Sequence, residues 1–159
     1  MLKIRIANKE DGLLYYEWAN EKAVRRQSIN SGVISMNDHL KWFNERISDS
    51  ECEMLIFENE NQVSTGQIRL QKKDDETYLI GISVDILERG KGLSYKMLEM
   101  ASDYFFNLFP LKKIIAIIKQ DNVPSIKSFK KAGYIYKAGK VVKGIKCNIY
   151  TKENINANS

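Results

Sequence analysis

The chain is poor in the residues that build metal and redox centres. Its 159 residues include one histidine, two cysteines and two prolines. Cys52 and Cys147 lie 95 positions apart, and neither belongs to a Cys-x-x-Cys pair. A Cys/His zinc site needs more ligands than this, so no metal is expected, and both thiols should be reduced and partly buried. No apolar run reaches the roughly 18 residues of a membrane span. The opening Met1–Glu10 is charged within three residues and lacks a signal-peptide core. These absences predict a cytoplasmic protein that does not enter membranes. Repeats, low-complexity segments and inter-domain linkers are missing too. One domain over residues 1–152 is therefore expected, with 153–159 as a disordered tail.

The net charge of +5 is unevenly spread. Residues 112–152 hold eleven lysines and a single acid, Asp121. No helix carries a dense basic stripe with base-reading partners, which argues against nucleic acid. A phosphate-rich small molecule explains the bias as well.

The stretch Leu79–Leu98 organises the chain. Leu79–Val84 is apolar and β-branched and reads as a buried strand. Glu88-Arg89-Gly90-Lys91-Gly92 forms a tight basic turn, and a helix with apolar Leu93, Met97, Leu98 and Ala101 follows. The first N–H groups of a helix lack intrahelical partners, and its dipole adds partial positive charge. Glycines let the backbone close round an anion. The turn is a candidate pyrophosphate cradle. It is neither a Walker loop, since Gly90-Lys91 is followed by Gly92, nor a dinucleotide fingerprint, since position 95 is Tyr.

Arg89-Gly90-Lys91-Gly92-Leu93-Ser94 resembles the Arg/Gln-x-x-Gly-x-Gly/Ala motif of the GCN5-related N-acetyltransferases, with Ser94 in the last place. Asn122–Tyr134 resembles that family's second motif, Asn-x-x-Ala/Ser-x-x-x-Tyr-x-x-x-Gly-Phe. The resemblance covers nearly the whole chain. It implies a single-domain α+β acetyltransferase fold, with a mixed, mostly antiparallel sheet of about seven strands flanked by about four to five helices. It implies acetyl-CoA as co-substrate, and a gap between strands Leu79–Val84 and Lys113–Lys119 that admits its pantetheine arm. By the same resemblance, Ile82 and Val84 would offer backbone to pantetheine. Arg89, Gly90, Lys91, Gly92, Leu93 and Ser94 would surround the pyrophosphate. Asn122, Ser125 and Phe129 would meet the arm and acetyl end.

The remaining elements follow from pattern. Strands are expected over Leu2–Ile6, Glu53–Phe57, Val63–Leu70, Tyr134–Ala138 and Ile145–Thr151. Helices are expected over residues 10–20, 22–26 and 36–47, the last capped by Ser35 and with Leu40, Phe43 and Ile47 on one face. Pro110 stops the helix that begins at Leu93, and a short helix runs from Asp121 to Gly133.

The chemistry is attack of a neutral amine on a thioester, so the protein must position reactants and accept a proton. The family's usual base and acid positions are Leu79 and Phe129 here. The candidates for chemistry are His39, Asp85 and Asn122, His39 having a reference pKa near 6.5. Trp18-Ala19-Asn20 to Arg25, with His39 to Phe43, resembles acetyltransferases acting on nucleotide-linked amino sugars, such as those of pseudaminic acid biosynthesis. That narrower resemblance implies an acceptor facing Glu17, Arg25, Asn30, Ser31 and His39. Trp18, Trp42 and Phe43 read as packing residues. Acetylation of a protein N-terminus or an antibiotic amine, or binding of acyl-CoA without turnover, remain open, as does a homodimer.

Overall fold

The structure, a computed structural model, describes residues 1–156. Strand β1 (Lys3–Ile6) is followed by a single 3-10 turn and helices α1 (Gly12–Asn20), α2 (Lys22–Gln27) and α3 (Met36–Ile47). Then come β2 (Cys52–Glu58), β3 (Ser64–Lys72), β4 (Thr77–Val84), α4 (Leu93–Leu108), β5 (Lys113–Lys119), α5 (Val123–Lys131), β6 (Ile135–Val142) and β7 (Ile145–Glu153). The seven strands form one sheet in the order β1-β2-β3-β4-β5-β7-β6, antiparallel throughout except for β4 beside β5. This is the expected single-domain α+β fold.

Both faces of the sheet are covered, as period-two alternation along β2 shows. Leu55 and Phe57 join a core with Met97, Leu98, Ala101 and Phe105 of α4. Cys52, Met54 and Ile56 point the other way, against Tyr15 and Trp18 of α1 and Phe43 of α3. The α4–α5 face and the α1–α3 face each bury aromatic side chains, which dominate such layers energetically.

The turn between β6 and β7 is Lys143-Gly144 with φ of 50° and 78°. Such mirror-image turns match the strand twist of a hairpin. β7 continues through Glu153, whose carboxylate meets Lys113 at 3.1 Å, and Asn154 Nδ2 donates to the Pro110 carbonyl at 3.3 Å, so described structure extends into the segment expected as tail. Residues 157–159 of that segment lie outside the described residues.

The face expected for α3 is rotated by one position. Phe43 is fully buried and His39 is 2% exposed, whereas Leu40 is 36% exposed. The buried stripe is the i, i+4 pair His39/Phe43, because the aromatic rings of Tyr15 and Tyr16 on α1 await it.

β4 and β5 pair only at Thr77↔Lys113, Tyr78↔Ile114 and Leu79↔Ile115. Beyond Leu79, β4 stays with β3 as far as Val84, and β5 stays with β7 as far as Lys119. The two strands therefore part, and a cleft opens between them. Gly66 of β3 pairs with Val84, the last residue of β4. A Cβ there would lie 2.6 Å from the Ser83 carbonyl and 2.8 Å from Met97 Cε. Backbone cannot give way cheaply, so Gly66→Ala is expected to destabilise the fold by about 1–3 kcal/mol, as overpacking does. Scanning calorimetry checks this. A melting temperature within about 1 °C of wild type would contradict the packing described.

Candidate active site

The cleft between β4 and β5 has a volume of about 760 Å³. Asp85 N–H donates to the Thr65 carbonyl, and the Thr77 carbonyl accepts from Lys73 N–H. Odd-numbered residues of β4 thus turn their backbone groups to β3, and even-numbered ones turn to the cleft. Ile82 can present its N–H and carbonyl there as an added strand would require. Val84 offers less, because its carbonyl already accepts from Arg89 Nε at 3.1 Å.

At the outer end of the cleft, Gly90 and Gly92 have φ of 78° and 72°. Gly92 is the N-cap of α4 in left-handed geometry, and no side chain caps this 16-residue helix. Its first N–H groups are thereby left for an anion. A Cβ on either glycine would meet nothing within 4 Å, so the approach to the turn is open. Gly90, Gly92, Leu93 and Ser94 all line the cleft. The two basic residues of the turn behave differently from expectation. Arg89 lines the cleft but pairs with Glu21 at 2.9 Å. Lys91 lies outside it, paired with Glu88 at 3.0 Å. Such exposed pairs contribute at most about 1 kcal/mol, so a phosphate can displace them.

Asn122 and Ser125 line the inner wall with Phe129. Asn122 caps α5, its side chain accepting from Ser125 N–H at 3.4 Å, and Pro124 occupies the first turn. Phe129 is 2% exposed and stands edge-on to Tyr134 at 4.9 Å. Tyr134 does not supply the missing phenol: it is buried in the core beside Ser102, and burial pushes its pKa up.

A second cavity, about 560 Å³, opens on the α1–α3 side of the same strand. Val24, Ser28, Gly81, Ile82 and Ser83 border both cavities. The two spaces therefore meet at the middle of β4, the arrangement direct transfer between two bound reactants needs. His39 lines the second cavity, and its Nε2 is buried without a partner. Burial lowers the His39 pKa, and a backbone hydrogen bond with Gly12 opposes this. A bond that favours the charged ring is one the ring donates, and Nε2 is unpartnered, so Nδ1 makes it. The neutral imidazole then carries its lone pair on Nε2.

Several expected acceptor residues are placed elsewhere. Asp85 lines neither cavity. Its Oδ2 accepts from Trp18 Nε1 and its Oδ1 from Leu87 N–H, both at 2.9 Å. It caps a turn and anchors α1, with one bond on each carboxylate oxygen. Glu17 lies on the exposed outer face of α1, away from both cavities, because the inward positions of that helix go to Tyr15 and Trp18. Arg25 lines the second cavity, but its guanidinium holds the 28–32 loop. Nε donates to Ala19 O, Nη1 to the carbonyls of Asn30 and Gly32, and Nη2 to Ser28 Oγ. It shapes the wall and has about one N–H left, so it offers no two-pronged grip on a phosphate of the acceptor. Asn30 borders the cavity and Ser31 does not.

Arg69, Tyr15 and Gln67 line the second cavity as well, and none was expected there. In Ile68-Arg69-Leu70, alternation makes the arginine read as a solvated position. The signal that could have found it is the second apolar layer on α1 and α3, which covers that face of the sheet.

A splayed strand pair, a glycine turn at an uncapped helix start and two cavities meeting across β4 define an acetyl-CoA-dependent transferase site. The acetyltransferase (GNAT) domain family matches residues 2–135. The chain belongs to that family and is an acetyl-CoA-dependent N-acetyltransferase. Among curated proteins it is 24% identical over 136 residues to the SPβ prophage-derived uncharacterized N-acetyltransferase YokL of Bacillus subtilis, covering 84% of this chain and 76% of that one. Among solved structures it resembles spermidine N-acetyltransferase from Vibrio cholerae in complex with CoA and spermine. That match has a TM-score of 0.87 at 15% identity, over 99% of this chain and 98% of the other. An aminoglycoside acetyltransferase in complex with coenzyme A and kanamycin matches with a TM-score of 0.82 at 16% identity, over 99% and 96%. At these identities the structural likeness speaks for the fold.

Proposed function

We propose that this protein acetylates a primary amine on a nucleotide-linked amino sugar, in the cytoplasm, for surface polysaccharide synthesis. The observation that carries the choice of acceptor is the charge of the second cavity. Its basic lining is Arg25, Arg69 and His39, against the single carboxylate Asp38. Spermidine and aminoglycosides are polycations, and a wall with two guanidiniums and one carboxylate repels them. An amine attached to a sugar and followed by a diphosphate has the opposite charge. In this reading acetyl-CoA lies along β4 with its pyrophosphate at Gly90–Ser94. Ile82 backbone holds the arm, and Asn122 and Phe129 border the thioester. His39 Nε2 takes the proton of the attacking amine, which bonds to the acetyl carbon as the carbon–sulfur bond breaks. The coenzyme thiolate leaves; thiols of this kind have a reference pKa near 8.5, so the thiolate departs without obligatory protonation and Phe129 is tolerated where the family's motif has a phenol.

The test is thiol release with acetyl-CoA across an acceptor panel. UDP-, dTDP- and CMP-linked amino sugars are expected to include a substrate, with spermidine and kanamycin turned over at least about a hundredfold less efficiently. Efficient acetylation of spermidine, kanamycin or a peptide N-terminus, with no nucleotide sugar accepted, would overturn the reading.

A further inference from the structure

The second cavity holds a cation that the protein itself does not neutralise. Arg69 stands on β3, directly opposite Gly81 of β4. Its guanidinium lies against the Trp42 ring, with Cζ 4.9 Å from the ring centroid. Among the described residues no carboxylate pairs with it and no hydrogen-bond acceptor meets it. The Arg46 side chain adds to the positive field around it. A guanidinium taken partly out of water, with neither ion pair nor hydrogen bonds, is costly to keep. Burial accordingly lowers its pKa.

The surroundings keep this group accessible from the cavity. A Cβ at position 81 would sit 3.7 Å from Arg69 Nη2, so glycine there leaves one side of the fork uncovered. Three further polar atoms are buried in the same cavity without partners: Tyr15 hydroxyl, His39 Nε2 and Gln67 Oε1. Tyr15 is 4% and Gln67 9% exposed. Gln67 Nε2 donates to Ser83 Oγ at 3.1 Å, which fixes the amide and leaves Oε1 buried without a donor. Buried polar atoms are ordinarily satisfied, and several orphans gathered in one cavity mark a ligand's place. A planar fork of donors suits an oxyanion, and the flanking acceptors suit an amine or hydroxyl close to it.

We infer that Arg69 is the anion-binding, specificity-determining residue of the acceptor site, holding a phosphate or carboxylate carried by the acceptor near its amine. The inference deepens the proposed function and rests on the second cavity being the acceptor's. It also moves the anion contact from Arg25, which is spent on the loop, to Arg69.

The experiment is calorimetric titration of protein saturated with coenzyme A, so that the turn at Gly90–Ser94 is already filled. Inorganic pyrophosphate and succinate are titrated in turn. At least one is expected to bind, and Arg69→Gln is expected to weaken it tenfold or more with coenzyme A affinity unchanged. Tighter binding of pyrophosphate assigns a phosphate source, and tighter binding of succinate a carboxylate source. Arg69→Lys keeps stem and charge but loses the fork, and a loss of threefold or more is expected. It carries the test if Arg69→Gln does not fold. No anion binding to the saturated wild type, or equal binding by the folded variants, overturns the assignment. The titration needs no turnover, so the two readings fail separately. Anion binding that depends on Arg69, with no nucleotide sugar accepted, keeps the subsite and removes the sugar. Nucleotide-sugar turnover indifferent to Arg69→Gln does the reverse.

Discussion

Gly92→Asp is expected to weaken coenzyme A binding by about a hundredfold or more, about 2.7 kcal/mol, while the fold persists. Gly92 is the left-handed N-cap through which the open N–H groups of α4 face the cleft. An aspartate there places a carboxylate where the pyrophosphate must come. Two like charges about 4 Å apart at an effective dielectric near 20 repel by about 4 kcal/mol. The fold tolerates the change, since a Cβ at this position meets nothing within 4 Å. Aspartate also enters left-handed backbone more readily than most residues. Gly92→Ala separates the causes: it carries a backbone cost of about 1–2 kcal/mol of stability, no smaller than that of aspartate, without the charge. Calorimetry with coenzyme A and thermal denaturation on all three proteins measure both effects. Unchanged affinity in a folded Gly92→Asp would remove the pyrophosphate from this turn.

The sequence was most legible where one physical signal acts alone. The strong periodicity of Leu93–Leu108 and the β-branched run Lys113–Lys119 gave both elements their observed limits. Glycines at 90 and 92 gave the turn, because only positive φ explains both in so short a segment. Side chains able to do chemistry were harder to place, because the same groups can serve the backbone. Asp85 is taken by an indole and a turn N–H, and Arg25 by three carbonyls and a hydroxyl. The indole bond cannot be read from spacing, since Trp18 and Asp85 are 67 positions apart, and the Arg25 bonds, though all within 7 positions, depend on how the 28–32 loop folds back. The pattern of α3 puts Leu40, Phe43 and Ile47 on its apolar face, and the buried stripe is His39 with Phe43. The His39 ring sits 5.5 Å from Tyr16, a contact set by the approach of α1 to α3 rather than by α3 itself. Arg69 was lost for a related reason: whether an alternating strand has a wet face depends on what covers it.

His39→Gln is expected to lower acceptor kcat/KM by about 10²–10³-fold, within the range of a general base, and to leave coenzyme A affinity unchanged. Glutamine roughly keeps the volume among Tyr16, Trp42 and Phe43, whereas His39→Ala would open a cavity beneath them. His39 borders only the second cavity, which is why the coenzyme should not sense the change. Burial is the main influence on its pKa and lowers it below the ordinary 6.5. Wild-type kcat/KM should therefore hold on acidification until pH falls under 6.5, then drop as Nε2 is protonated. The variant should lack that limb. Stability shifts in the same window. The unfolded chain binds a proton at His39 at higher pH than the folded one, so the fold loses stability as pH falls through 6.5. His39→Gln should flatten that part of the stability curve. A residue serving only as packing would change stability and leave the acid limb of kcat/KM in place. A folded His39→Gln within about threefold of wild-type kcat/KM, with the acid limb retained, would assign the proton to another acceptor.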